Sequence, residues 1–121
     1  MIDEQLSVAA IHRLYTDVSA ETLLKTLEAS FTVTDAPPIN PKTLATMEQD
    51  GCLCFIDRDL QTKWLTPRTD AFEGIRSLDS ARLEHALRDL AHTVSFQHGV
   101  TEVVDVLSQH QANAAILIRP V

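Results

Sequence analysis

Two short stretches of this chain carry side chains that could hold a ligand: Phe96-Gln-His-Gly-Val-Thr101 and His12-Arg13. In the first, a strand-like run ends where a helix-like run begins. Open α/β sheets bind ligands outside the carboxyl ends of their strands, and unpaired N–H groups at a helix start suit an anion. Gly99 would let the backbone approach closely, and His98 or Thr101 could add a donor. The plain alternative is an ordinary turn that uses Gly99 for its conformation, and Glu102 in the same first turn would compete with an anion. In the second stretch an imidazole and a guanidinium interrupt an otherwise apolar run. Neighbouring residues of a strand point to opposite faces, so His12 and Arg13 enter one pocket only across a bulge. Otherwise one is an edge residue and the other a satisfied core residue. His98, Gly99, Thr101, His12 and Arg13 are the candidate binding residues, with phosphate or nucleotide as the ligand class. No residue reads as catalytic.

Other constellations lead to no chemistry. Cys52 and Cys54 would share one strand face, but a closed zinc site needs four ligands and no second cysteine pair exists. They read as two small, reduced core side chains. The histidines have no spacing that names a metal. His85 lies four residues from Asp89, as on solvated helix faces, and His110 falls at a helix end, where the dipole favours a cation. There is no Gly-rich phosphate loop, nucleophile elbow or His-Glu-x-x-His, and Trp64 and Tyr15 make no stacking platform. The pattern names no cofactor and no metal.

The elements that must position these residues follow from periodicity. Residues 92–98, 99–109 and 114–118 read strand, helix, strand. Val100, Val103, Val104 and Leu107 give the helix an apolar stripe, and the apolar run Ala114 to Ile118 predicts a central strand covered on both faces. A crossover through one helix implies two parallel strands joined right-handedly. A second such unit runs from Val8 to Thr34, with a strand over 7–15, a helix capped by Ser19 with Ala20, Leu23, Leu24 and Leu27 inward, and a strand over 31–34. Asn40-Pro41 begins a short helix with Leu44 and Met47 inward, and Gly51 ends it. Strands over 52–56 and 61–66 form a β-hairpin around Asp57 to Leu60, and 67–77 is a loop. Asp79 caps a helix over 80–91, stapled by Leu78 and Leu83, with Leu83, Ala86, Leu87, Leu90 and Ala91 buried and Arg82, Glu84 and Arg88 in water. The fold class is therefore α/β (mixed α+β): a six-stranded mixed sheet with about four helices, two strand–helix–strand units and one hairpin, in a single domain over 1–121.

Composition bounds the function. Ten basic against seventeen acidic residues leave a formal charge of −7, which disfavours nucleic acid and anionic membrane as partners. No run approaches the roughly 18 apolar residues of a membrane span. The acidic start Met1-Ile-Asp-Glu lacks the basic residues of a secretion signal, so a cytoplasmic protein is expected.

Ala10-Ile-His-Arg-Leu14, followed by Leu23-Leu24 and Phe31-Thr-Val33, is similar to the His-Arg-Leu-Val opening and next helix and strand of a bacterial and archaeal family, domain of unknown function 1015. Leu78-Asp79 before a helix, the Val94 to Gly99 crossover and Ala112-Asn-Ala-Ala-Ile-Leu-Ile-Arg-Pro120 also resemble that family. The resemblance implies the central piece of a longer protein, with a ParB-like and sulfiredoxin-like region before it. It further implies nucleotide-linked metabolism for the whole, since relatives of the ParB-like group include nucleotide hydrolases and free-serine kinases. No catalytic role carries over to His12 or Arg13. The expected role is thus a non-catalytic structural or ligand-positioning domain, with the remaining segments of a parent chain as partner. The alternatives are a small nucleotide- or phosphate-binding enzyme unit at 96–101, or an oligomerisation module. The last would pair through an exposed strand edge. As a piece of a longer protein, the domain is expected to expose an apolar patch or sheet edge where the missing segments would dock, and so to self-associate into a homo-oligomer.

Overall fold

Residues 12–75, 79–97 and 99–119 are described by the structure, a computed structural model. Apolar runs and alternation build β1 (His12–Thr16), β2 (Phe31–Asp35), β3 (Leu53–Asp57), β4 (Thr62–Pro67), β5 (Thr93–Gln97) and β6 (Ala114–Leu117). The helices are α1 (Ala20–Leu27), α2 (Thr43–Asp50), α3 (Asp79–Ala86) and α4 (Val100–Ser108). Six strands form one sheet in the order β2-β4-β3-β6-β1-β5. This is the expected α/β class, with the expected β3–β4 hairpin. Asp57 Oδ1 accepts from the backbone of Asp59 and Gln61 to close that turn.

Every neighbouring pair is antiparallel, where a mixed sheet was expected. The crossover through α4 does join strands of like direction, since β5 and β6 both run antiparallel to β1. They are not neighbours, because β1 lies between them. Likewise β1 and β2 share a direction but have three strands between them.

Helices cover both faces. On one, Leu23 and Leu27 of α1, Leu83 of α3 and the nearby Leu87 bury against Tyr15, Phe31, Phe55 and Ile116. On the other, Met47 of α2 and Val103 and Leu107 of α4 bury against Leu14, Cys54, Ile56 and Leu117. Residues Ala114 to Ile118 are all buried, as their apolar run predicts, and β6 is central between β3 and β1. Each large apolar side chain so buried contributes about 1.5–3 kcal/mol. A sheet sandwiched in this way needs no further layer to hide its centre.

Local signals fare unevenly. Ser19 caps α1 through the Thr22 N–H, and Gly51 ends α2 at φ +70°, a left-handed conformation that suits glycine. Asn40 caps one turn early: its Oδ1 accepts from Lys42 N–H at 2.8 Å, while regular helix starts at Thr43. The loop after β4 contains a 3₁₀ turn, Thr69–Phe72, whose Phe72 enters the core against Phe31 at 5.2 Å between ring centres. Helix α3 ends at Ala86 rather than Ala91, and Ala91 is exposed. Leu78, residues 7–11 of the expected first strand and His98 lie outside the described residues.

A candidate anion-binding cleft at one end of the sheet

The antiparallel register collects the starts of β1, β2 and β3 and the finishes of β4, β5 and β6 at one end. His12 stands opposite Gln97, Arg13 opposite Ile116, Cys54 opposite Leu117, Leu53 opposite Leu65 and Phe31 opposite Pro67. Residues far apart in the chain therefore meet there.

At its centre is Asp79, the first residue of α3, with only 4% of its side chain exposed. A buried carboxylate needs several donors to hold its charge. Arg119, just past β6, supplies three: its backbone N–H donates to Oδ2 at 2.8 Å, Nε to Oδ2 at 3.0 Å and Nη2 to Oδ1 at 2.7 Å. Arg82, one turn along α3, adds Nη1 to Oδ1 at 3.4 Å. The fork of two parallel bonds fixes the Arg119 plane, and its hydrogen bond to Asp79 raises the guanidinium pKa further. Asp79 therefore acts as a latch between helix and sheet, where a helix cap was expected. Arg82, expected in water, is drawn into partial burial.

Beside the latch opens a cleft of about 460 Å³, lined by Arg68, Thr69, Phe72, Glu73, Arg82 and Arg119 among others. Arg68 follows β4, and its backbone N–H donates to Ser30 O at 3.0 Å, which ties the loop to the start of β2. Its exposed side chain has no carboxylate partner among the described residues. Three arginines thus gather at this cleft, with Glu73 on its lining, Asp79 in the latch and the Glu48 charge acting on Arg119, in a chain whose formal charge is −7. Planar N–H forks suit a phosphate or carboxylate.

Among the described residues, the two cysteine thiols near the cleft are not activated as nucleophiles. Cys52, beside the cleft wall, is buried, and burial first, then the Asp50 charge, pushes its thiol pKa up. Burial pushes the Cys54 thiol to about 12. Both cysteines are unpaired core residues, as their sequence context suggests, and a protonated thiol is a poor nucleophile. Among the described residues there is no group of three or more His, Cys, Asp or Glu side chains placed to hold a metal ion.

The described candidates read from the sequence, His12, Arg13, Gly99 and Thr101, fall around this end without sharing one pocket. His12 is buried, and its Nδ1 accepts the N–H of Ile118 at 3.2 Å, one residue before the amide that bonds Asp79. It braces the strand that carries Arg119. Arg13 points to the opposite face, with Nη2 3.6 Å from Glu84 and its guanidinium carbon 5.3 Å from the Phe96 ring centre. Its buried Nε has no hydrogen-bond partner among the described residues. Gly99 precedes α4 without a side-chain cap, and a Cβ there would collide with Glu102 Oε1. The chain's own carboxylate therefore folds over the junction. Thr101 is exposed in the first turn. Asp79, Arg82, Arg68 and Arg119 escaped the sequence reading as a site. Their one signal was an arginine placed directly after a fully apolar strand.

No family model, no curated protein and no solved structure matches the chain. Among the described residues, no helix is long and apolar enough to cross a membrane.

Proposed function

We propose that this is a non-catalytic, ligand-positioning domain that holds a phosphate-bearing ligand of nucleotide type in the Arg68–Arg82–Arg119 cleft. The observation that carries the reading is an arginine with no carboxylate partner, Arg68, beside two arginines already oriented by a buried carboxylate. Preorientation lowers the ordering cost of binding. The absence of an activated nucleophile or metal-ligating group among the described cleft residues favours holding a ligand over transforming it. Kinship with domain of unknown function 1015 is itself part of this proposal, and it would imply nucleotide-linked metabolism and a place within a larger protein. The acidic surface supports a small-molecule partner over nucleic acid, in a cytoplasmic setting. Junction 99–101 is the weaker place for an anion, since Glu102 already lies over it.

Titration with inorganic phosphate and then a nucleoside diphosphate, followed by NMR, tests the proposal. Shifts should centre on Arg68, Thr69, Arg82 and Arg119. Arg68→Ala should weaken binding about tenfold or more, as loss of a charge-assisted hydrogen bond does. No shift at ~10 mM ligand, a Kd well past the millimolar range, or equal binding by Arg68→Ala would overturn it.

A further inference from the structure

The two edges of the sheet are built differently. At the β2 edge, Asp35 is exposed and charged, Lys63 of β4 pairs with it, and Ala36-Pro37-Pro38 follows directly. Charge and proline are the usual means of stopping another strand from adding. The β5 edge, Thr93-Val-Ser-Phe-Gln97, has neither charge nor proline, and pairs only with β1 among the described residues. It also carries Phe96, 53% exposed and the most exposed large apolar side chain among those described. Next to Phe96 a groove of about 280 Å³ runs between β5 and α3, lined by Leu87, Leu90, His92 and Val94 among others.

We infer that β5 pairs antiparallel with β5 of a second copy of this chain, about a two-fold axis at Ser95. The sequence is self-complementary in that register. Thr93 meets the second copy's Gln97, and Val94 meets its Phe96, on the face that carries the groove. Each Phe96 then covers its partner's Val94 side, an aromatic to β-branched pair of the kind that stabilises sheets. An isologous contact of this sort closes on itself and does not grow into fibres. Charge does not oppose a second copy here in spite of the net −7. Arg13 and Arg88 at the groove are answered by Glu84 and Asp89, so this flank is locally balanced. The pairing joins two six-stranded sheets into one. A five-residue ladder with two aromatic anchors falls below the area of tight interfaces, so the dimer should be reversible, with Kd on the order of 0.1 mM. The inference is independent of the arginine cleft.

Sedimentation velocity on the full chain across a concentration series tests it, with charge placed on the axis. Ser95 is exposed, so Ser95→Lys and Ser95→Glu should each fold, as circular dichroism would verify. Each variant alone should be monomeric, because like charges meet at the axis, and an equimolar mixture should pair at least as well as the parent chain. A parent chain that stays monomeric to ~1 mM, tenfold above the expected Kd, would overturn the inference. So would a dimer indifferent to both variants, a mixture that fails to pair, or open-ended assembly.

Discussion

Arg119 and Arg13 both lean on the sheet, and their surroundings differ. Arg119 meets a carboxylate that is 4% exposed, through three bonds of 2.7–3.0 Å. Arg13 has only 12% of its side chain exposed, yet its ion-pair partner, Glu84, is 71% exposed and 3.6 Å away, and its Nε is left unpaired. The first arrangement is architecture: helix α3 and the end of β6 are joined through a buried charge that has nowhere else to go. In the second, the guanidinium lies against the Phe96 ring and beside the buried Tyr15 hydroxyl, while its carboxylate partner stands in water. Burial of an arginine therefore says little about its energetic weight. The burial of its partner decides.

The strongest way to break this contrast is to remove the latch. Asp79→Ala leaves Arg119 and Arg82 half-buried without their carboxylate and should cost about 3–5 kcal/mol in urea unfolding. A loss below ~1 kcal/mol, the range of surface pairs, would make the latch no better than the Arg13 pair.

Alkaline unfolding sharpens the comparison next, because a buried neutral acid sits close to each region. Cys54 follows Cys52 by the latch, and Tyr15 lies two residues from Arg13. Burial is the main cause that raises Tyr15 from an ordinary 10.0 to about 12, and Cys54 from 9.0 to about 12. A raised folded-state pKa means that the stabilising contribution is full below the unfolded value and is lost as pH rises through the folded value. Stability should therefore hold up to about pH 9 and fall by a few kcal/mol towards pH 12. Tyr15→Phe should remove the part of that fall above pH 10, and Cys54→Ala the part that begins near pH 9. Identical pH profiles for parent and variants would show that neither group stays protonated through burial.

Substituting the arginines themselves separates the two regions further. Arg13→Met keeps the stem and discards an unpaired Nε, but it also takes the guanidinium from the buried Tyr15 hydroxyl, so stability should fall by about 1 kcal/mol. Arg119→Met strips two side-chain bonds from Asp79, leaves the backbone N–H bond in place, and should cost about 2 kcal/mol or more. The smallest effect belongs to Glu84→Ala, under about 0.5–1 kcal/mol by the same urea titration and smaller still in high salt.

The elements were legible in the sequence where periodicity or a cap speaks locally. The apolar run 114–118, the Ser19 cap, the Gly51 terminus and the 57–60 turn all depend on near neighbours. Pairing was less legible, because nothing in residues 93–97 and 114–117 says that β1 will lie between them. His12 and Arg13 stood out as polar groups in an apolar run, and the structure places both at the end of the sheet where the cleft lies. Asp79 and Arg119 were invisible as a pair because their meeting across 40 residues depends on strand order. Asp79 was read as a cap for the same reason: an Asp before a helix has a local use, and only the fold shows that its carboxylate is claimed elsewhere. Phe72 was lost to a loop because a lone aromatic among polar residues has no period.

The position of β6 between β3 and β1 bears on how the chain is made. The strand at the sheet's centre is the last of the described strands to be synthesised. While only the residues before Ala114 have emerged from a ribosome, the other strands can form at most two separate ladders, β2-β4-β3 and β1-β5, with no strand to bridge them. Each would expose an apolar edge and an unfilled face. The described fold can therefore close only late, in a single event that inserts 114–117 between two waiting partners. Because that event depends on contacts distant in sequence, it should be slow beside helix formation, and a nascent chain stalled before Ala114 should be a prime client for chaperones.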